Sequence, residues 1–397
     1  MRATTYRQGP AGRPPSPPVV AQQHRHAAGQ PGRSPAVVHI VPALFDAHDG
    51  IIGGAERYVF ELARHMAAVV PARLVTFGSR DREESVGALQ IRVIGQPWFV
   101  RGQRSNPVSA AIIGEVRRAA VVHCHQQHVV ASSLAAATSR LLGRRVFCTE
   151  LGGGGWDVSA YISTDRWYHG HLHISEYSRR IAGHDTSARA HVVLGGVDAE
   201  RFSPAPARES GGPVLFVGRL LPHKGVNDLI DALEPSARAE IIGPAPDARY
   251  LEELQTRARG KQIRFRTDCD DADLVAAYRR AACVVLPSVY TDMYGRRTQV
   301  PELLGQTLLE GMACGLPAIC TDVASLPEVV QHRVTGLVVP PNDPAALRAA
   351  LQWLAHHPSE SRAMGERARA RVLRDFRWAA VVQRCLAAYG PAVEARG

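Results

Sequence analysis

The sequence predicts two consecutive doubly wound α/β domains. Short β-branched apolar runs alternate with helix-period segments, and the alternation restarts after a loop-like stretch near the middle of the chain. At 397 residues the chain also exceeds what one small core needs. The first run, 36–41 (AVVHIV), reads as a strand buried on both faces of a parallel sheet. The glycine pair Gly53-Gly54 follows, opening a segment in which Val59, Leu62, Ala63 and Met66 fall at helical spacing. RLVTFG, AAVVHCH, RRVFCTE and HLHISE supply further strands. The pattern begins again at 213–220 (PVLFVGRL) and continues through AEIIGP, IRFRT, CVVLPS, PAICTD and GLVVP. Helices are expected from near Asp228, Asp273, Gln306 and Pro344. The expected divisions are a tail over 1–36, a first domain over 37–203, a second over 204–376, and a C-terminal amphipathic segment over 377–397. That last helix is free to pack on either domain, the first by crossing back.

A composition of 45% hydrophobic and 21% charged residues suits a globular chain. Its net charge is +10, but 1–36 holds five arginines and no acid, so half the excess sits in a Pro-, Gln- and Gly-rich tail. Such a tail is expected to be disordered, or to be translated from a start codon set too far upstream. The remaining charge is spread without basic–aromatic interleaving, which argues against a nucleic-acid partner. Seven cysteines without CxxC or zinc-like spacing fit reduced, buried thiols. No apolar run approaches the roughly 18–20 residues that span a bilayer, and the N-terminus lacks an apolar signal region. The expected location is cytoplasmic.

The segment 301–317, PELLGQTLLEGMACGLP, carries the densest chemistry. Pro301 and Gly305 make Glu302 a loop residue, and a helix opens at Gln306 and Thr307. Glu310 then lies about 6–7 Å along the helix axis, at about 1.5 Å per residue. Between the two carboxylates are free amides and the positive end of the dipole, a natural diphosphate site. A nucleotide sugar presents ribose hydroxyls, diphosphate and sugar hydroxyls in that order, which matches Glu310 to ribose and Glu302 to the sugar. The plainer alternative is a solvated helix face with an acid near its start. Beside it, 217–225 (VGRLLPHKG) places Arg219 and Lys224 after a strand, where two cations can neutralise a leaving diphosphate. Among 47 Lys and Arg residues only Lys224 and Lys261 are lysines. A lysine kept in a glycine-flanked turn of such a chain points to a need for a compact charge, against a chance surface lysine.

Taken together, Glu302-x7-Glu310 and Arg219-x4-Lys224 resemble the retaining glycosyltransferases of family 4, which have the GT-B fold. The likeness runs over 36–389 and is densest over 214–340. It is supported by GGAERYV (53–59), HISEYSRR (173–180), GGVDAERFSP (195–204) and VTGLVVPPND (334–343). The resemblance implies two Rossmann-like domains facing a cleft, the C-terminal one binding a nucleotide-sugar donor and the N-terminal one the acceptor. It implies Arg219 and Lys224 on the diphosphate and Glu310 on the ribose. Glu302 would meet the donor sugar, helped by Gly305, Gln306 and Thr307. Gly53 and Gly54 would allow close backbone approach, and His125 matches a strand-end histidine facing donor sugar and acceptor. No metal or other cofactor is implied. The leaving phosphate itself takes the acceptor proton, so catalysis is mostly positioning and charge stabilisation.

The sequence departs from that pattern in three places. The link from Ser288 to Glu302 is lengthened by VYTDMYGRRTQVP, whose Tyr290, Tyr294, Arg296 and Arg297 are candidates for acceptor or donor specificity. Gly195 or Gly196 stands where the family commonly has Asn, and Leu304 stands for a frequent aromatic. Two alternating histidine groups, His123, His125, His128 and His169, His171, His173, invite a zinc-hydrolase alternative, but no close Asp or Glu completes either. Asp268-Cys269-Asp270 precedes a helix and reads as capping. The glycine run 152–155, with Gly154 and Trp156, reads as a mobile acceptor loop or a plain flexible one. Helix 131–145 ends in Arg140, Arg144 and Arg145, which favour its dipole or attract anionic lipid weakly. The function expected is metal-independent, retaining glycosyl transfer. Its acceptor is open, with a small molecule favoured over lipid or polysaccharide and at most peripheral membrane contact. A catalytically silent nucleotide-sugar-binding protein of the same fold is the other alternative.

Overall fold

The computed structural model describes residues 35–45, 54–152, 155–205 and 211–392. Gly53, Gly154 and the expected tail up to residue 34 lie outside these residues.

The N-terminal half is built on β1 (Val37–Leu44), β2 (Ala72–Gly78), β3 (Arg82–Val86) and β4 (Leu89–Gly95). A short ribbon, β5 (Trp98–Phe99) with β6 (Pro107–Val108), stands apart, and β7 (Val121–His125), β8 (Arg145–Thr149), β9 (Gly170–His173) and β10 (Ala190–Val192) complete the main sheet. Its order is β10-β9-β8-β7-β1-β2-β4-β3, with only the β3–β4 edge antiparallel. The apolar runs VVHIVPAL and VVHCH occupy the centre because helices cover both faces. The edge strand REESV is charged and largely exposed, which discourages pairing with another chain.

The second half is a six-stranded parallel sheet of β11 (Val214–Val217), β12 (Arg238–Ile242), β13 (Gln262–Arg266), β14 (Cys283–Leu286), β15 (Ala318–Thr321) and β16 (Gly336–Val339). Its order, β13-β12-β11-β14-β15-β16, is the 3-2-1-4-5-6 order of a Rossmann sheet.

The covering helices of the first half are α1 (Gly54–Ala67), α2 (Ala111–Arg118), α3 (Val130–Leu141) and α4 (Glu176–Ile181). Those of the second are α5 (Val226–Ala232), α6 (Ala248–Arg257), α7 (Asp271–Arg280), α8 (Gln306–Ala313), α9 (Leu326–Val329), α10 (Pro344–His356) and α11 (Pro358–Asp375). The expected helix 131–145 is shorter: it stops at Leu141, the chain turns through Gly143, and Arg145 already belongs to β8. Asp270 caps α7 by accepting from the Asp273 amide at 2.7 Å. Lys261 donates to the Ile230 and Leu233 carbonyls at 2.6 and 2.8 Å, closing the C-terminal end of α5.

The last helix, α12 (Trp378–Tyr389), returns to the first sheet. Trp378 packs on Tyr58 and His65 of α1, and the buried Tyr389 hydroxyl meets His123 Nδ1 at 2.7 Å. No described helix is long and apolar enough to cross a membrane.

Candidate active site

In an open α/β sheet the binding crevice lies beyond the carboxyl ends of the strands, where strand order reverses. In the second sheet that point falls between β11 and β14. The chain leaving β11 makes a tight turn, Pro222–Lys224, closed by Gly225 at φ 66°. A Cβ on Gly225 would stand 1.9 Å from the Pro287 carbonyl oxygen, so the turn can press against the chain leaving β14 only with glycine there. This contact delivers Lys224, whose ammonium pairs with Glu302 Oε1 and lies 3.4 Å from the Pro301 carbonyl. Ser288 Oγ donates to the same Glu302 oxygen at 2.9 Å, and the Ser288 carbonyl accepts from Thr321 Oγ1 at 2.5 Å. The chain leaving β11 and the chain leaving β14 thus converge on one carboxylate, and the end of β15 braces Ser288. Burial, aided by Lys224, pushes the neighbouring His223 down to about 4, so the imidazole adds no charge near neutral pH. Arg219 is exposed on the same loop.

Helix α8 begins at Gln306, as the sequence predicts, with Gly305 at φ 80° as its N-cap and no side chain capping it. Orphan amides of this kind favour an anion. Gln306 turns its side chain away from that end, donating to the Gly196 carbonyl at 3.1 Å. Glu310, one turn in, is 4% exposed. Its Oε2 accepts from the Tyr278 hydroxyl at 2.9 Å, and that hydroxyl also reaches the Thr307 carbonyl at 3.1 Å. Burial raises the Glu310 carboxyl, with Arg57, Tyr278 and Arg201 opposing the shift. Arg57 of α1 and Arg201 both grip Asp271 at 2.6 Å, which puts a cationic pair from the N-terminal half beside the α8 carboxylate. Arg57, Asp271, Tyr278 and Ser288 were not singled out from sequence. For Arg57 a signal existed, its place three residues after the glycine pair in GGAER.

Two of the departures from the family pattern turn out to be one feature. A Cβ on Gly195 would stand 2.0 Å from Leu304 Cδ2, and one on Gly196 would stand 2.4 Å from the Trp378 ring. Leu304 therefore fills space that a side chain at 195 would need.

The inserted segment divides. Tyr294 leans back onto α6, donating to Glu253 at 3.0 Å, and Arg296 pairs with Asp292 at 3.0 Å. Arg297 lines a cavity of about 380 Å³ together with Tyr290 and Gln299. The halves meet nearby: Ser175 donates to the Leu303 carbonyl at 2.8 Å, and Tyr177 to the Gln299 carbonyl at 3.3 Å. Glu328 accepts from the amides of Glu176 and Tyr177 at the start of α4, at 2.7 and 2.6 Å.

His125 ends β7, next to β1 where the first sheet reverses. It is 1% exposed and shares a 3.0 Å hydrogen bond with His39, and its ring packs against those of His39 and His123 on one face of the sheet, not against Lys224 or Glu302. Gly54 is exposed, with open space where a side chain would be. Trp156 is covered by Arg101, whose guanidinium sits 3.8 Å from the ring centroid.

Two Rossmann-like halves meeting at a cleft, with a basic turn and an uncapped helix at its C-terminal wall, define the GT-B class. Solved structures agree on the fold: HepE of Anabaena in complex with UDP and glucose has TM-score 0.65 at 18% identity, covering 88% of this chain and 98% of that one. The catalytic domain of starch synthase IV of Arabidopsis thaliana, bound to ADP and acarbose, has TM-score 0.66 at 15% identity, covering 91% of this chain and all of that one. Residues 199–371 match the family described as glycosyl transferases group 1. The GDP-mannose-dependent alpha-(1-6)-phosphatidylinositol monomannoside mannosyltransferase of Mycobacterium tuberculosis is 30% identical over 291 residues, 68% of each chain. The D-rhamnosyltransferase WbpZ of Pseudomonas aeruginosa is 34% identical over 194 residues, 46% of this chain and 48% of that one. The chain belongs to the group 1 glycosyltransferase family. It spans about half the length of WbpZ and of the glycogen synthase of M. tuberculosis that it also matches.

Proposed function

We propose that the protein transfers a sugar from a nucleotide-sugar donor to a hydroxyl acceptor, with retention of configuration and without a metal in the donor site. The observation that carries this reading is the convergence of Lys224, Ser288 and Glu302 at the switch point of the second sheet, beside the uncapped start of α8. In the reading, 204–376 is the donor-binding domain and 37–203 the acceptor-binding one. Lys224 and Arg219 neutralise the diphosphate while the α8 amides of Gln306 and Thr307 hold it. Glu310, steadied by Tyr278, takes the ribose. Glu302 takes the sugar hydroxyls, and its pairing with Lys224 and Ser288 holds both groups in position before the donor arrives. His125 belongs to the acceptor side, behind the end of β7.

The bond from the anomeric carbon to the diphosphate breaks as the acceptor oxygen bonds to the same face. The acceptor proton passes to the departing phosphate oxygen, and the two cations offset the growing negative charge. Among the relatives, the names of the phosphatidylinositol monomannoside mannosyltransferase and the glycogen synthase point to a lipid and a polymeric acceptor, whereas others that match are D-inositol 3-phosphate glycosyltransferases. The absence of a strongly basic amphipathic stretch favours a small soluble acceptor.

The test is calorimetric binding of UDP, GDP and ADP without added Mg²⁺ or Mn²⁺, wild type beside Lys224→Ala. One nucleotide is expected to bind selectively and to weaken at least about tenfold, or about 1.4 kcal/mol, in the variant. A folded wild type that binds none of them, or binding indifferent to Lys224, removes the donor-site assignment. Turnover of the matching sugar nucleotide then separates a transferase from a silent binder.

A further inference from the structure

Three groups of ligating side chains lie outside the donor site among the described residues, and their surroundings differ in what they can hold. His39, His123 and His125 are enclosed at 0–1% exposure, offer only neutral donors, and have both His123 nitrogens taken by Thr149 and Tyr389. A dication there would be buried without a counter-charge. Glu61, His65 and Asp198 are half-exposed, and Arg64 already neutralises both carboxylates.

The third group has what the others lack. Asp165 begins a single 3₁₀ turn ahead of β9, His171 lies in β9, and His184 follows α4. His171 is 5% exposed, and its Nε2 is buried with no hydrogen-bond partner. That nitrogen stands 3.9 Å from Asp165 Oδ1, and His184 Nε2 stands 3.9 Å from Asp165 Oδ2. The other ring nitrogen of His184 is held by His173 Nε2 at 3.1 Å, which fixes the ring with Nε2 toward the carboxylate. The backbone holds it as well: the His184 amide donates to the Arg179 carbonyl and the Gly183 amide to the Arg180 carbonyl, a Schellman closure of α4. Gln127 steadies Asp165 Oδ1 at 2.7 Å, and Ser163 donates to Oδ2 at 3.2 Å. The Asp165 side chain remains 46% exposed, leaving a path for an ion and room for water as a further ligand.

We infer that Asp165, His171 and His184 form a binding site for a divalent first-row transition ion, zinc by preference. Two imidazoles and a carboxylate with an open position suit that ion. Metal–ligand bonds of about 2.0–2.1 Å set neighbouring donors about 3.3 Å apart in a tetrahedral site, and one donor atom from each of the three residues already lies within 4.8 Å of the others, so no gap needs to close by more than about 1.5 Å. The bound ion would clip the excursion between β8 and β9 to β9 itself and to the end of α4. That excursion includes Gly152, whose Cβ position lies 2.9 Å from Leu303 across the cleft. The site therefore braces a wall of the cleft and takes no part in the transfer, and the inference does not rest on the transferase reading.

The test uses the full chain stripped with a chelator and returned to metal-free buffer, then titrated with Co²⁺ followed by visible absorption. One equivalent is expected to bind with the strong d–d bands of low-coordinate Co²⁺, to be displaced by Zn²⁺, and to raise the melting temperature. Asp165→Asn and His184→Ala should each weaken binding at least about tenfold while leaving nucleotide affinity unchanged. If His184→Ala fails to fold, the exposed carboxylate variant decides alone. No Co²⁺ bound, binding that survives Asp165→Asn, or binding lost in Glu61→Gln overturns the assignment.

Discussion

The leucine at 304 is explained by the glycine it faces. Leu304 is 7% exposed, and its Cδ2 occupies the place of a Cβ at residue 195. Gly195→Ala should therefore cost about 1–3 kcal/mol by overpacking. Leu304→Ala should cost about 2–5 kcal/mol by leaving a cavity. Together they should cost at least about 1 kcal/mol less than the sum, because the new methyl enters the vacated space. Urea unfolding of the four proteins measures this, and additivity within about 0.5 kcal/mol would show that the residues do not share that space. Single residues were legible in sequence where chemistry and spacing coincided, as for Lys224, one of two lysines among 47 basic residues. Arg57 and Tyr278 were not, because Asp271 lies 214 residues from Arg57 and Glu310 lies 32 from Tyr278. Nor does sequence spacing reveal that Tyr294 turns toward α6 while Arg297 lines a cavity.

Two helix starts with opposite fates organise the cleft. That of α8 carries no side-chain cap, whereas α4 has Ser175 on its Ser178 amide and Glu328 from the other half on the amides of Glu176 and Tyr177. A carboxylate accepting two amides at a helix start is a charge-assisted clamp, and here it crosses between the halves. Glu328→Gln keeps the shape but removes the charge and turns one acceptor into a donor. It should lower stability by about 1–2 kcal/mol and increase proteolytic cutting in the segments that join the halves. Equal unfolding midpoints and equal cleavage rates would mean that the clamp contributes nothing. The start of α8 could be read from Gly305 and the run that follows. The Glu328 clamp could not, since its partners lie 151 and 152 residues away.

At the scale of the molecule, the alternation of apolar strands and amphipathic helices revealed two doubly wound halves. Strand order stayed hidden, because parallel neighbours such as β1 and β7 are joined through long intervening chain and their pairing leaves no local pattern. The same concealment covers the enclosed cluster of His39, His123 and His125, which joins β1, β7 and, through Tyr389, the returning α12. Burial pushes His39 down to about 3 and holds His123 and His125 well below the ordinary histidine value, His39 adding to the effect at His123, and His123 and His39 at His125. Folded values below the unfolded 6.5 mean that the unfolded chain binds more protons, so this contribution is complete above about pH 6.5 and falls as pH drops toward 3. Each imidazole contributes a slope of up to about 1.4 kcal/mol per pH unit, and three together about 4. Against a total stability of about 5–15 kcal/mol, one unit below pH 6 is then a large loss. Urea midpoints measured from pH 7.5 to 5 should be level at first and then fall steeply below about pH 6.5. Replacing His39 with Gln, which keeps a polar group of similar reach but cannot take the proton, should reduce the slope by up to about 1.4 kcal/mol per pH unit, while His171, His173 and His223, which burial also lowers, keep their share of the fall. A midpoint that stays level to pH 5, or an equal fall in both proteins, would show that the buried cluster accepts protons without opening the fold.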